Sequence, residues 1–195
     1  MRIQSAEFVT SVGRLDQLPV DGLPEVAVAG RSNVGKSSLM NRLFNTKKLV
    51  KTSGTPGKTR TLNYFLVNSA FYMVDLPGYG FAKRSFDERA GWARLVNGYL
   101  EDREPLRGII QLVDARHDPS RQDLEMLEWL VSFERPFLVV ATKSDKLSRS
   151  RLKPRIDRTR ATLNSLGCTR LLPFSATSGL GRDEVEKWIG EVASA

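Results

Sequence analysis

The 195-residue chain reads as a doubly wound α/β domain: a mainly parallel sheet, one antiparallel strand, and helices on both faces. Three observations point there. Apolar runs at 26–29, 71–75, 109–114, 137–142 and 171–174 have the length of strands buried on both faces. Between or after them lie stripes at helical spacing: Trp92, Leu95, Val96, Tyr99 and Leu100, then Leu124, Leu127 and Val131, then Val185, Trp188, Ile189 and Val192. The segment 61–67 ends only three residues before 71–75, too short a link for a parallel crossover, so these two pair antiparallel. The aromatics in the stripes are expected in the core rather than on a binding platform.

Taken in order, residues 1–22 form an N-terminal extension expected to pack on the core, and 23–195 form one domain. Val26 to Ala29 predicts the first strand of that domain. Gly30-Arg31-Ser32-Asn33-Val34-Gly35-Lys36-Ser37 follows, a complete Gly-x-x-x-x-Gly-Lys-Ser loop, with Ser38 after it. Leu39, Met40, Leu43 and Phe44 then recur at helical spacing. Strand, glycine loop and helix therefore come in the order that lets backbone N–H groups and a helix N-terminus cradle phosphates. Lys36 would reach the β- and γ-phosphates, and the Ser37 hydroxyl would bind Mg2+. This loop predicts a bound nucleoside triphosphate without naming its base.

Lys51 to Arg60 is polar and rich in turn residues. It reads either as a linker or as the segment whose threonine closes over Mg2+ and the γ-phosphate. Thr52, Thr55, Thr59 and Thr61 are all candidates by spacing. Asp75-Leu76-Pro77-Gly78 ends the run Phe71 to Val74, which puts Asp75 at a C-terminal strand end, where ligands sit in such sheets. Asp75 should face Mg2+ through a water, and the Gly78 N–H should sense the γ-phosphate. Many switch GTPases carry a water-positioning glutamine directly after this glycine. Tyr79 stands there instead, and Lys83 and Arg84 carry the wrong charge for a base, so intrinsic hydrolysis should be slow.

Thr142-Lys143-Ser144-Asp145 follows the run Phe137 to Ala141 and identifies the base. A carboxylate only accepts, and guanine offers two adjacent N–H donors, which Asp145 can take together. Adenine would leave that charge unpaired. The Lys143 stem would lie along the base plane. Ser175-Ala176-Thr177, after Leu171 to Phe174, could offer a backbone N–H to the guanine 6-oxygen. Asn33, three residues before Lys36, raises a further possibility, because the loop resembles that of some Era-like GTPases in which an asparagine carbonyl there holds K+ against the phosphates; purely local hydrogen bonding is the alternative.

Composition constrains partners more than chemistry. Thirty Lys and Arg against 22 Asp and Glu give a net charge of +8. Arg149, Arg151, Lys153, Arg155, Arg158 and Arg160 cluster against Asp157 alone, while Leu152, Ile156 and Leu163 would bury the other helix face. The basic side is either a solvated surface or one that meets a polyanion. One cysteine, Cys168, excludes an internal disulfide and fits a reducing cytoplasm as buried filler. One histidine, His117, argues against a histidine metal centre, and it is expected on a surface loop. No signal-peptide or membrane-spanning pattern is present. A monomer is expected, with no membrane partner. A switch acting on a protein partner, or a nucleotide-dependent protein acting on DNA, remain the rival functions.

The strings Gly30 to Leu39, Thr55-Pro56-Gly57-Lys58-Thr59, Asp75-Leu76-Pro77-Gly78-Tyr79-Gly80 and Thr142 to Asp145 together resemble the EngB (YihA/YsxC) family of bacterial ribosome-biogenesis GTPases, in the Era-like group of P-loop GTPases. The likeness runs from about residue 5 to 190. Thr142 replaces a more usual Asn, and this family looks the same there. The resemblance implies that Thr59 is the switch threonine on Mg2+ and that Gly57, Lys58, Arg60 and Thr61 flank the nucleotide. It also implies GTP and GDP as ligands and work on the large ribosomal subunit and its rRNA. Loss of the protein would be expected to disturb cell division and septation.

Overall fold

A computed structural model of the chain describes residues 1–50, 61–80, 86–133 and 135–195. Among these, seven strands form one sheet in the order β1-β3-β4-β2-β5-β6-β7. The strands are β1 (Ala6–Val12), β2 (Glu25–Gly30), β3 (Leu62–Val67), β4 (Phe71–Asp75), β5 (Leu106–Asp114), β6 (Phe137–Thr142) and β7 (Leu171–Pro173). Five helices accompany them: α1 (Lys36–Leu43), α2 (Phe86–Asp102), α3 (Arg121–Ser132), α4 (Arg149–Asn164) and α5 (Arg182–Ala193). Parallel pairing joins β4, β2, β5, β6 and β7, and β3 is antiparallel to both β4 and β1. Only β3 therefore runs against the rest, as the short 68–70 link requires.

Every residue of β2 is buried, because both faces are covered. Val26 and Val28 pack with Leu39, Met40, Trp188 and Ile189 on the α1/α5 side. Ala27 and Ala29 meet Leu95, Val96 and Tyr99 of α2 on the other. A third cluster sets Val139 and Ala141 of β6 against Ile156 and Leu163 of α4, with Cys168 buried beside them. Of the stripe residues, Leu95, Val96, Tyr99, Leu100, Leu127, Val185, Trp188, Ile189 and Val192 are buried as expected, and Trp92 is half-buried. In α3 the buried face is turned toward Met126 and Leu130, leaving Leu124 and Val131 half-buried.

Residues 6–12, within the N-terminal extension, form an edge strand of the sheet itself. Only Val12 of that strand is fully buried, which leaves no strand periodicity to read. The Asn68 side chain ties the chain start to the β3–β4 turn: its Oδ1 accepts from the Gln4 and Ser5 N–H groups, and its amide donates to the Arg2 carbonyl. Beyond β1, Leu15 lies on α2 over Gly98, where a Cβ would stand 2.5 Å from its Cδ1. No helix among the described residues is long and apolar enough to cross a membrane.

Candidate nucleotide site

The C-terminal ends of β2 and β4 lie side by side, Val28 pairing with Asp75, so the glycine loop and the Asp-x-x-Gly turn share one edge. The loop turns into α1 at Gly35, whose φ of 114° is one that glycine adopts freely. As the N-cap, Gly35 has no side chain to accept the first N–H groups of α1. A helix start without a cap, with Lys36 as its first residue, suits an anion. Val34 is buried in the sheet-side core, Asn33 is exposed at a φ of 63°, and Ser38 is exposed on the first turn. Arg31, Ser32, Lys36 and Ser37 are half-buried around the loop.

Asp75 is 7% exposed, and among the described residues its Oδ1 has no hydrogen-bond partner. Burial pushes its carboxyl above the ordinary value, opposed by the nearby Lys36 ammonium and by Asn63. A buried carboxylate oxygen left unsatisfied is costly, and one facing a lysine beside a phosphate loop is suited to a hydrated cation. Leu76 continues the strand, its N–H donating to the Val28 carbonyl. Gly78 then approaches the phosphate loop so closely that a Cβ there would lie 3.0 Å from Ser32 Oγ and 3.2 Å from Lys36 Nζ. The turn is held at its flanks: Trp92 donates to the Pro77 carbonyl at 2.8 Å, and the Ser32 N–H donates to the Tyr79 carbonyl at 3.0 Å.

The base-reading end is locked by side chains. Thr142 is buried, and its hydroxyl lies 2.6 Å from the Val34 carbonyl and 3.1 Å from that of Val113, joining β6 to the phosphate loop. The Lys143 ammonium donates to the Asn33 main-chain carbonyl at 2.7 Å and to Asp114 at 2.9 Å. Burial would raise the Asp114 carboxyl, but hydrogen bonds from Arg116 and Lys143 outweigh it and hold the group well below the usual range. Ser144 donates to the Ala141 carbonyl at 2.9 Å, which shapes the short 3-10 turn carrying Asp145. Ser175 is fully buried and donates to Asp145 Oδ1 at 2.8 Å. Its own N–H is taken by the Leu180 carbonyl, so of the three residues 175–177 it is Ala176 and Thr177 that carry N–H groups for a base oxygen.

Thus Gly30 to Ser37, Asp75 to Gly78, Thr142 to Asp145 and Ser175 to Thr177 converge on one sheet edge. Thr52, Thr55, Gly57, Lys58, Thr59 and Arg60, with Lys83 and Arg84, lie outside the described residues. Thr61 is described: its hydroxyl donates to Asn63 at 3.2 Å. Two participants escaped the sequence reading. Asp114, which anchors Lys143, ends a strand at the same edge as Asp75 and was legible on that ground. Trp92, which holds Pro77, carries in the sequence only the signature of a core stripe residue.

Comparison with known proteins follows this geometry. A family described as 50S ribosome-binding GTPase matches residues 25–143. The probable GTP-binding protein EngB of Pelotomaculum thermopropionicum is 50% identical over 97% of this chain and 98% of its own length. Among solved structures, a probable GTP-binding protein EngB covers 87% of this chain and 98% of its own, with a TM-score of 0.69 at 23% identity, a likeness of fold. Era in complex with MgGDPNP and nucleotides 1506–1542 of 16S ribosomal RNA gives a TM-score of 0.67 at 25% identity, over 87% of this chain and 56% of that one. The chain therefore belongs to the P-loop GTPases and, within them, to the EngB family of GTP-binding proteins.

Proposed function

We propose that this GTPase is a nucleotide-gated assembly factor of the large ribosomal subunit, acting in the cytoplasm and meeting rRNA with the basic face of α4. Its nucleotide lies across the strand ends, with Lys36 and the first N–H groups of α1 on the phosphates and Gly78 beside the γ-phosphate. Ser37 and Thr59 would hold Mg2+, with Asp75 acting on it through a water; the unpartnered Asp75 Oδ1 supports this assignment. When bound, Mg2+ offsets the charge of the β- and γ-oxygens. Asp145 takes both guanine donors while Ser175 steadies it, and Ala176 offers its N–H to the 6-oxygen. Arg31, Val34, Ser38, Leu76 and Pro77 shape the loops, and Gly57, Lys58, Arg60 and Thr61 flank the γ-phosphate side. Intrinsic hydrolysis is slow, since no amide follows Gly78. A K+ ion on the Asn33 side chain would add positive charge where the bridging oxygen develops its own, giving faster hydrolysis in K+ than in Na+.

The observation that carries the ribosomal reading is α4 itself. Ile156 and Leu163 bury one face, and Arg149, Arg151, Lys153 and Arg158 stand exposed on the rest. Arg155 and Arg160 are drawn onto Asp118 and Asp157. Such a surface attracts phosphates by releasing counterions. Era, which shares this fold over 56% of its length, was solved in complex with nucleotides 1506–1542 of 16S ribosomal RNA, which supports rRNA as the polyanion. Reduced supply of the large subunit would then disturb division and septation. The test is co-sedimentation with purified large subunits, comparing a GTP analogue with GDP at several salt concentrations. Binding should require the GTP-like state, weaken with salt, and fall when Arg149, Arg151, Lys153 and Arg158 become Glu. Equal sedimentation in both nucleotide states, or none, would overturn it.

A further inference from the structure

Tyr79 occupies the place of the glutamine that positions water in other GTPases, yet its side chain points elsewhere. It is 9% exposed, and its hydroxyl donates to Asp123 Oδ1 at 2.8 Å while accepting from Gln111 Nε2 at 2.5 Å. Trp92 stacks edge-on against the ring at 6.5 Å. Asp123 is itself fixed: its other oxygen accepts from the Ser120 N–H and hydroxyl, closing the capping box of α3. Gln111 is fully buried in the middle of the sheet. The phenol is thus pinned between a rigid helix start and a central strand, and burial together with the neighbouring Asp123 charge keeps it protonated. It cannot serve as a base or turn toward a water without breaking both bonds. The main chain of the same residue leans the other way, accepting from the Ser32 N–H, with Gly78 immediately before it against Lys36.

We propose that Tyr79 is a positioning residue, whose buried hydroxyl holds Gly78 against the phosphate loop and thereby sets how strongly the site prefers a triphosphate over a diphosphate. GDP has no γ-phosphate for Gly78 to meet, so an anchor acting through Gly78 is felt by GTP alone. Tyr79→Phe removes both hydrogen bonds and keeps the ring. Gln111→Leu removes one of them, together with the amide's bond to the Leu112 carbonyl at 3.2 Å, and takes away an Oε1 that lacks a partner among the described residues.

Affinities for a non-hydrolysable GTP analogue and for GDP are measured by calorimetry on the full chain, with single-turnover hydrolysis and unfolding temperature alongside. Tyr79→Phe should weaken the analogue by about fivefold, roughly one hydrogen bond's worth of anchoring passed on to Gly78, with GDP binding unchanged. Gln111→Leu should shift the same ratio in the same direction, and the double variant should add little to either. Equal weakening of both nucleotides, or of neither, would reduce Tyr79 to core packing and overturn the proposal. So would a loss of about a hundredfold in single-turnover rate at unchanged analogue affinity, which would show the phenol acting on the water. Should Tyr79→Phe not fold, the ratio in Gln111→Leu decides.

Discussion

Two buried carboxylates sit on the neighbouring strands β2 and β4, at opposite ends of the sheet, and they are treated in opposite ways. Glu25, at the N-terminal end, is fully buried and saturated: Tyr99 donates at 2.8 Å, Tyr64 at 3.3 Å, and Arg103 at 2.9 and 2.5 Å. Asp75, at the C-terminal end, keeps one oxygen without a partner. A buried charge that is fully answered costs the fold little but makes each partner expensive to remove; one left partly unanswered costs stability until something arrives to answer it. The same sheet thus builds its foundation at one end and its site at the other.

The largest effect should come from breaking the saturated end. Glu25→Ala leaves the Arg103 guanidinium and two tyrosine hydroxyls without their partner and should cost about 3–5 kcal/mol of stability. Guanine-nucleotide affinity should hold in whatever fraction stays folded. Denaturant unfolding read beside nucleotide titration checks this, and a loss of affinity without a loss of stability would reverse the roles of the two ends.

A smaller effect belongs to Asp145, the third carboxylate of interest, which is partly open and held by Ser175. Asp145→Asn turns one acceptor into a donor and should weaken GTP and GDP binding by about a hundredfold, the range of one charged hydrogen bond. Xanthine nucleotide, with a carbonyl in place of the 2-amine, should bind in exchange. Titration with both nucleotides tests it, and an unchanged preference for guanine would remove Asp145 as the reader.

The smallest effect concerns Asp114. Its folded pKa is depressed by Arg116 and Lys143 against the pull of burial. A carboxylate of that kind adds stability above its unfolded value of 3.8 and loses it as pH falls toward the lower folded value. Wild-type protein should therefore lose stability between about pH 4 and pH 2 more steeply than Asp114→Asn. Melting curves across that range decide, and parallel slopes would mean the Lys143–Asp114 pair carries no linkage.

Much of this was legible in the residues, and the exceptions have physical causes. Strands buried on both faces write continuous apolar runs, so β2, β4, β6 and β7 lay within a residue or so of their expected bounds. β5 begins at Leu106 rather than at 109, because exposed Arg107 and the buried glycine Gly108 interrupt its apolar run. Gly108 is small for packing reasons: a Cβ there would stand 2.9 Å from the Trp188 ring. β1 left no pattern, since an edge strand buries little. At the site, the residues assigned to the ligand announce themselves by type and spacing, as Lys36, Asp75 and Asp145 do. Residues that hold them act through tertiary contacts with no local spacing. Ser175 meets Asp145 across 30 positions and Asp123 meets Tyr79 across 44. Tyr79 stands out in the sequence for the glutamine it replaces, but where its hydroxyl goes depends on α3 and β5, which only the fold brings to it.

The most direct test of the contrast between the two carboxylates is the Mg2+ dependence of release of a fluorescent GDP analogue. In wild-type protein, Mg2+ should slow release. In Asp75→Asn, the Mg2+ concentration giving half that slowing should rise by about 10–100-fold, the usual cost of losing a group that orients a metal's bound water. Unfolding temperature without nucleotide should not fall in that variant. An unchanged Mg2+ midpoint together with a destabilised fold would make Asp75 a second Glu25, and the partly unanswered carboxylate would not mark the metal site.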